Sequence, residues 1–365
     1  QISTGTSIGK PVIRGLSGNR VLVYSQGVRL ENQQFGGEHG LGLNDAGVES
    51  VEVIKGPASL LYGSDALGGV LFFNPEKFAL PNEFQGDFGE RLSSNTLGSN
   101  TTLGLKTSTN NWKYLIRGTY NTQSDYKIPN GDRVTNTRFQ ETDFKAGIGY
   151  SNAKFSSILR YNYNNLDLGI PEDGIADQTT NKKTAYPSQG VFNNLISLSN
   201  VVYFQNSKLD VNLGYINNDR SEFEDSDIPV LHMVLNTFNY NVKYYLPQLG
   251  KLETIVGVQG MNQSNKNFGE EYLIPDATTN DFGTGIYAWE NNSLQAGLRY
   301  DYRNLNTEEN GIQSEEGYFQ PIDKSYNSFN ASLGYKKDFT EDFTLRLNMA
   351  SGFKAPTLAE LLSNG

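Results

Sequence analysis

The chain has 365 residues, no cysteine, 12% aromatic residues and a formal net charge of −10 at pH 7. Without thiols it builds neither disulfides nor thiolate metal centres, so any metal must be held by His, Asp, Glu or backbone oxygen, and the acidic balance argues against a nucleic-acid partner. No run of about 18 apolar residues occurs, which excludes spanning helices; a mean hydropathy of −0.50 still suits a transmembrane barrel, where only alternate residues meet lipid.

Gln1-Ile-Ser-Thr-Gly5 is polar, with neither Met nor a leader, so the start reads as lying inside a longer chain. The last residues, Leu361-Leu-Ser-Asn-Gly365, read the same way, as a stop within a loop. Residues 1–78 are dense in glycine and short apolar runs, and the tract from Val51 to Phe73 predicts strand, one-turn helix, strand. Val51, Val53 and Ile54 favour the first strand. Gly56-Pro57 ends it, Pro57 suits a first helical position, and Gly63 closes the helix in a positive-φ conformation. Gly68-Gly69 turns the chain back into Val70–Phe73, which is apolar throughout and predicts a strand buried on both faces.

From about residue 84 the pattern becomes period two. Leu294, Ala296, Leu298, Tyr300 and Tyr302 fall on one face, and Gln295, Gly297, Arg299, Asp301 and Arg303 on the other. Roughly thirteen such segments, most of about 10 to 13 residues, are separated by short turns such as Asn110-Asn111 and Asn206-Ser207 and by long polar stretches at 124–139, 167–191, 220–235, 265–280 and 305–325. Outer-membrane barrels alternate tight turns at one rim with long loops at the other. The alternation alone also fits a soluble sandwich or propeller; the tyrosines ending many segments favour interfacial girdles. No Ser-His-Asp pattern, phosphate loop or metalloprotease helix occurs, so the chain does not read as an enzyme. The expected fold is mainly β: an incomplete antiparallel transmembrane barrel over 79–365 with a small α/β plug domain over 1–78.

Three tracts, Pro11-Val-Ile-Arg-Gly-Leu16, Arg20 to Leu30 and Val51 to Val70, resemble in order the plug of TonB-dependent outer-membrane receptors. Gly352 to Leu361 resembles a box these receptors carry at the entry to a later extracellular loop. The resemblance implies a plug inside a barrel of about 22 strands, which roughly thirteen strands cannot close. It further implies ligand binding between plug apices and extracellular loops, import of a scarce nutrient across the bacterial outer membrane, and no required cofactor. Opening is driven by the TonB energy-coupling complex through an N-terminal box that would lie before Gln1.

Within the family, Glu38-His39 in Gly37–Gly40, Phe268–Pro275 and Leu168–Asp173 resemble the zinc-uptake branch, which is related to haem receptors. Gln26 stands where an Asp commonly precedes the glycine. Zinc in a thiol-free chain takes imidazole and carboxylate, so the expected metal ligands are Glu38, His39, Glu270 and Glu271, with zinc as transported ligand. His232 and the acidic run Glu222, Glu224, Asp225 and Asp227 read as ordinary loop residues. Haem, siderophore, cobalamin and peptide ligands remain alternatives, since Phe353-Lys-Ala-Pro356 also resembles a box of haem receptors.

Overall fold

The computed structural model describes the chain apart from residues 1, 6–7, 33–40, 56–60, 173, 291–292, 314–316, 341 and 363–365. Two short strands, β1 (Ile2–Gly5) and β2 (Ile8–Lys10), pair with each other. A four-stranded sheet follows, made of β3 (Leu22–Ser25), β4 (Val28–Leu30), β5 (Val48–Ile54) and β6 (Val70–Pro75) in the spatial order β4-β3-β6-β5. β3 turns into β4 across Gln26-Gly27, both at positive φ (54° and 81°), a primed turn whose twist matches a two-residue hairpin. β3 and β6 run parallel and β5 returns antiparallel.

Alternation along β3 explains why this small sheet is covered on both sides. Leu22 and Tyr24 pack with Val70, Tyr62 and Phe72 on one face. On the other, Val23 joins Val28 and Leu30, and the cluster is completed by Leu195 and Ile216 of the surrounding wall. β6 departs from expectation: Val70 is buried, but Leu71–Pro75 are only half covered, because the neighbouring β5 lies largely exposed. Gly63 and Gly69 have φ of 111° and 122°, as the turns at these positions require. Gly56 and Pro57 lie outside the described residues.

The wall comprises β7 (Phe84–Ser93), β8 (Gly98–Ser108), β9 (Trp112–Gln123), β10 (Phe139–Ser151), β11 (Phe155–Gly169), β12 (Ser188–Tyr203), β13 (Lys208–Phe223), β14 (Leu231–Tyr245), β15 (Leu252–Asn267), β16 (Ala277–Glu290), β17 (Leu294–Thr307), β18 (Asp323–Asp338) and β19 (Thr344–Ala350). They form one thirteen-stranded antiparallel sheet in sequence order, and its edges β7 and β19 do not pair with each other. The sheet curls around the plug, which touches it from Lys106 on β8 to Arg303 on β17. Several strands reach 14 to 16 residues, longer than sequence reading gave them. Their polar ends continue the ladder past the apolar outer band, so the connections shrink, for example to 224–230 and 268–276.

Facing follows the pleat. Leu294, Leu298 and Phe329 are exposed on the outside, the last at 82%, while Arg299, Asp301 and Arg303 are buried in the lumen. Outside and above the apolar zone runs a row of linked amides. Asn194 donates to Asn217 (3.3 Å) and Asn217 to Asn236 (3.0 Å), with Asn262 donating to Asn280 further round (2.7 Å). Tyrosine hydroxyls reach up to the row, Tyr161 to Asn194 at 2.6 Å and Tyr215 to Asn236 at 2.7 Å.

Candidate functional site: the plug–wall seam

Charges on the inner face of a strand cannot reach bulk water and must pair within the lumen. β17 presents Arg299, Asp301 and Arg303 at alternate positions, and the register places Asp281 of β16 directly opposite Arg303. Arg303 grips Asp281 with two bonds of 2.6 Å, from Nε to Oδ1 and from Nη2 to Oδ2. Arg299 Nε donates to Asp301 Oδ1 at 2.7 Å, and Asn330 donates to the other oxygen at 3.2 Å.

The plug supplies Arg29 from β4, Glu31 just after it, and Asp65 from the turn beyond Gly63. Asp65 Oδ2 accepts from Arg29 Nη2 and from Arg303 Nη2, both at 2.8 Å. Arg29 also contacts Glu31, and lies 3.8 Å from Asp281. Burial alone would raise the Asp65 carboxyl, but the guanidinium groups of Arg303 and Arg29 overcome it and hold Asp65 below the usual aspartate range. For Glu31 burial wins, and its carboxyl is pushed up against the pull of Arg29 and Arg303.

Each side of this cluster is paired within itself. The wall half holds Arg303 with Asp281 and Arg299 with Asp301; the plug half holds Arg29 with Glu31 and Asp65. Across the seam run the short Arg303–Asp65 contact and the longer Arg29–Asp281 approach. Drawing the plug away therefore leaves no charge in this cluster without a partner, which avoids the penalty of about 3–5 kcal/mol for breaking a buried pair one-sidedly.

A second anchor sits where the chain leaves the plug. Glu76 is gripped by Arg117 at 2.8 and 2.9 Å, and Lys106 approaches it at 3.1 Å. Arg117 simultaneously holds Asp87, at 2.7 and 2.8 Å. Between the anchors the seam is amide-rich: Asn44 donates to Glu141 (2.8 Å), Ser197 to Gln26 (2.8 Å) and Gln259 to the Tyr62 carbonyl (3.0 Å). A cavity of about 50 Å³ beside Gln26, Asn32, Asn44, Asp143 and Asn164 has room for a few waters at about 10–15 Å³ each.

Only part of the expected ligand set falls within the described residues. Glu38 and His39 lie outside the described residues. Glu270 and Glu271 are exposed in the 268–276 loop, where the Glu271 N–H donates to the Val230 carbonyl at 2.9 Å. Among the described residues no group of three or more His, Asp or Glu is placed to hold a metal ion. His232 faces outward, its Nε2 3.0 Å from Asp219 Oδ1 and its ring 5.3 Å from that of Phe268. Glu222 accepts from Gln189 at 2.7 Å, and Asp227 accepts from the Tyr186 hydroxyl. The Phe353 carbonyl of the late box accepts from the Asp65 N–H at 2.7 Å, so that box touches the plug beside the ion cluster. The cluster itself escaped sequence reading, although Arg299, Asp301 and Arg303 on a non-lipid face were its one visible signal.

Residues 1–70 match the family described as TonB-dependent Receptor Plug Domain, and residues 62–365 match the TonB dependent receptor-like beta-barrel. Among solved structures, the chain resembles the FrpB iron transporter of Neisseria meningitidis (18% identity, TM-score 0.78, covering 98% of this chain and 60% of that one). It also resembles the copper transporter OprC (14%, 0.79, covering 98% and 59%). A third likeness is to a double mutant of the Serratia marcescens hemophore receptor HasR, solved with its hemophore HasA and heme (13%, 0.77, covering 98% and 59%). The chain thus spans about 60% of the length of the structures it matches. A plug sheet inside a curled antiparallel wall is what the two family matches together describe, and the chain belongs to the TonB-dependent receptors, proteins of the bacterial outer membrane.

Proposed function

We propose that this chain supplies the plug and thirteen wall strands of a receptor that imports a metal ion or metal chelate, opened by the TonB complex. The observation that carries the gating reading is the self-paired ion cluster: it holds the plug through Arg303–Asp65, yet leaves both halves neutralised internally when the plug moves. Support for metal cargo comes from the iron, copper and hemophore proteins that share the fold. Zinc is the finer reading, with Glu38 and His39 as carboxylate and imidazole ligands and Glu270 or Glu271 as barrel oxygen. Titration calorimetry of the full-length receptor with zinc, ferric citrate and haem, with and without His39→Ala, tests it. Zinc binding that weakens at least tenfold in the variant supports zinc; unchanged zinc affinity, or haem binding without zinc binding, removes it.

A further inference from the structure

Polar atoms left over by the seam gather around the cavity of about 50 Å³ between plug and wall. Five residues that line it carry a side-chain atom with no hydrogen-bond partner among the described residues: Asn32 (Oδ1) and Gln26 (Nε2) of the plug, and Asp143 (Oδ1), Asn164 (Oδ1) and Asn193 (Nδ2) of the wall. All five are at least nine-tenths buried, Asp143 and Asn164 being 3% and 4% exposed. The register sets the wall members side by side: Asp143 on β10 faces Asn164 on β11, which faces Asn193 on β12. The plug closes over them at Gly42, where φ is 63° and a Cβ would stand 2.6 Å from Asn193 Nδ2.

Buried polar atoms in native folds are satisfied, so a group of five calls for a partner. The amide orientations are fixed from their other ends. Asn32 Nδ2 donates to the Leu41 carbonyl at 2.9 Å and Asn164 Nδ2 to Glu141 at 2.8 Å, which leaves their oxygens as the spare atoms. Three oxygens, one of them a carboxylate's, therefore share the cavity. Charge is uneven there too. Glu141 accepts from two neutral amides, of Asn44 and Asn164, and Asp143 stands two residues away on the same face. Lys145 is the one ammonium beside this pair, with Nζ 3.6 Å from Asp143 Oδ1 and bonded to the Asn44 and Ala46 carbonyls. Two carboxylates against one ammonium leave one negative charge over. Arg160 also lines the cavity, but it pairs across from Gly147, four residues or about 13 Å along β10 from Asp143. There it lies over the Phe78 ring and donates to the Glu76 carbonyl.

We propose that this cavity holds one monovalent cation of sodium's size, bound by Asn32 Oδ1 of the plug and by Asp143 Oδ1 and Asn164 Oδ1 of the wall. Hard cations take oxygen ligands, and calcium or magnesium draws on carboxylates in number or on an octahedron of waters; a single spare carboxylate oxygen with two amide oxygens matches a single charge. The cavity has room for roughly four spheres of about 10–15 Å³, one ion and the waters that complete its shell. Those waters accept from Gln26 Nε2 and Asn193 Nδ2, so all five atoms are satisfied together. Because the ligands come from both sides of the seam, the ion binds only while the plug is seated, and it holds the plug by mass action. The site concerns how the plug is kept in place and stands whatever the receptor carries.

Hydrogen exchange of the full-length receptor is compared in sodium chloride and in N-methylglucamine chloride at equal ionic strength, for wild type, Asn164→Leu and Asn164→Asp. At a sodium concentration ten times its Kd, the amides of β4 should exchange about tenfold more slowly than in N-methylglucamine, while those of β16 and β17 stay unchanged. Asn164→Leu, which removes one ligand oxygen, should lose the sodium response. Asn164→Asp adds a carboxylate oxygen, so its plug should exchange faster than wild type without sodium and show a larger sodium response. This second variant decides the matter if Asn164→Leu fails to fold, because a purely structural role for Asn164 gives no added dependence on sodium. Equal wild-type exchange in the two salts assigns the cavity to water alone and overturns the proposal, as does a sodium response that survives Asn164→Leu or is not enlarged in Asn164→Asp. Protection by calcium at a hundredth of the sodium concentration marks a divalent site and overturns the monovalent assignment.

Discussion

Asp65→Asn tests how the plug is held. In the native cluster one oxygen of Asp65 accepts two charge-assisted bonds of 2.8 Å from Arg29 and Arg303. If both cations were stranded by the change, the cost would be about 3–5 kcal/mol. They are not stranded: Arg29 keeps Glu31 and Arg303 keeps both bonds to Asp281. What is lost is the difference between a charged and a neutral acceptor, about 2 kcal/mol, which corresponds to a roughly 30-fold larger population of released plug. Hydrogen exchange of the full-length receptor reads this directly: amides of β3 and β6 should exchange about 30-fold faster while those of β11 to β14 stay unchanged. Asp281→Asn should act in the opposite sense, because Arg303 then depends on Asp65 alone and release leaves it unpaired. Plug exchange equal to wild type in Asp65→Asn, or accelerated as strongly by Asp281→Asn, would refute the self-paired description.

Three further outcomes follow from the geometry. Gly63→Val should weaken plug folding by about 1–3 kcal/mol, because φ is 111° and a Cβ would lie 2.4 Å from Gln259 Nε2, the group that donates to the Tyr62 carbonyl; Ser64→Val should cost less, and comparable yields of folded receptor for both would contradict this. Tyr24, pushed up to about 12 by burial, has a folded value above its ordinary 10, so its contribution, worth about 3 kcal/mol, is complete below pH 10 and lost as pH rises through 12; ultraviolet titration should show a late-ionising tyrosine that Tyr24→Phe removes. Glu76→Gln leaves Arg117 with Asp87 as its remaining carboxylate partner and should expose the 76–83 connection to protease several-fold faster than wild type, with plug exchange near Tyr24 unchanged.

The wall was legible because lipid and lumen impose opposite chemistry on alternate residues, so Leu294 to Arg303 carries its own facing. Loop lengths were overread because Asn, Asp and Ser at the polar ends of β11 to β18 make strand past the apolar outer band as polar as loop. The ion cluster was illegible for another reason: Asp65 and Arg303 are 238 positions apart, and nothing local to either marks the other. Glu270 and Glu271 were legible only through their motif: both are exposed in the 268–276 loop, and nothing local to them marks a partner.

The linked amides on the outer wall carry a consequence for how the receptor meets membranes of different depth. Tyr161 and Tyr215 commit their hydroxyls to Asn194 and Asn236, so these rings are tied to the strands above them and cannot swing to follow a deeper or shallower hydrocarbon layer. Hydrophobic mismatch then falls on the acyl chains, which stretch or compress around a rim of fixed height at a fraction of a kcal/mol per Å.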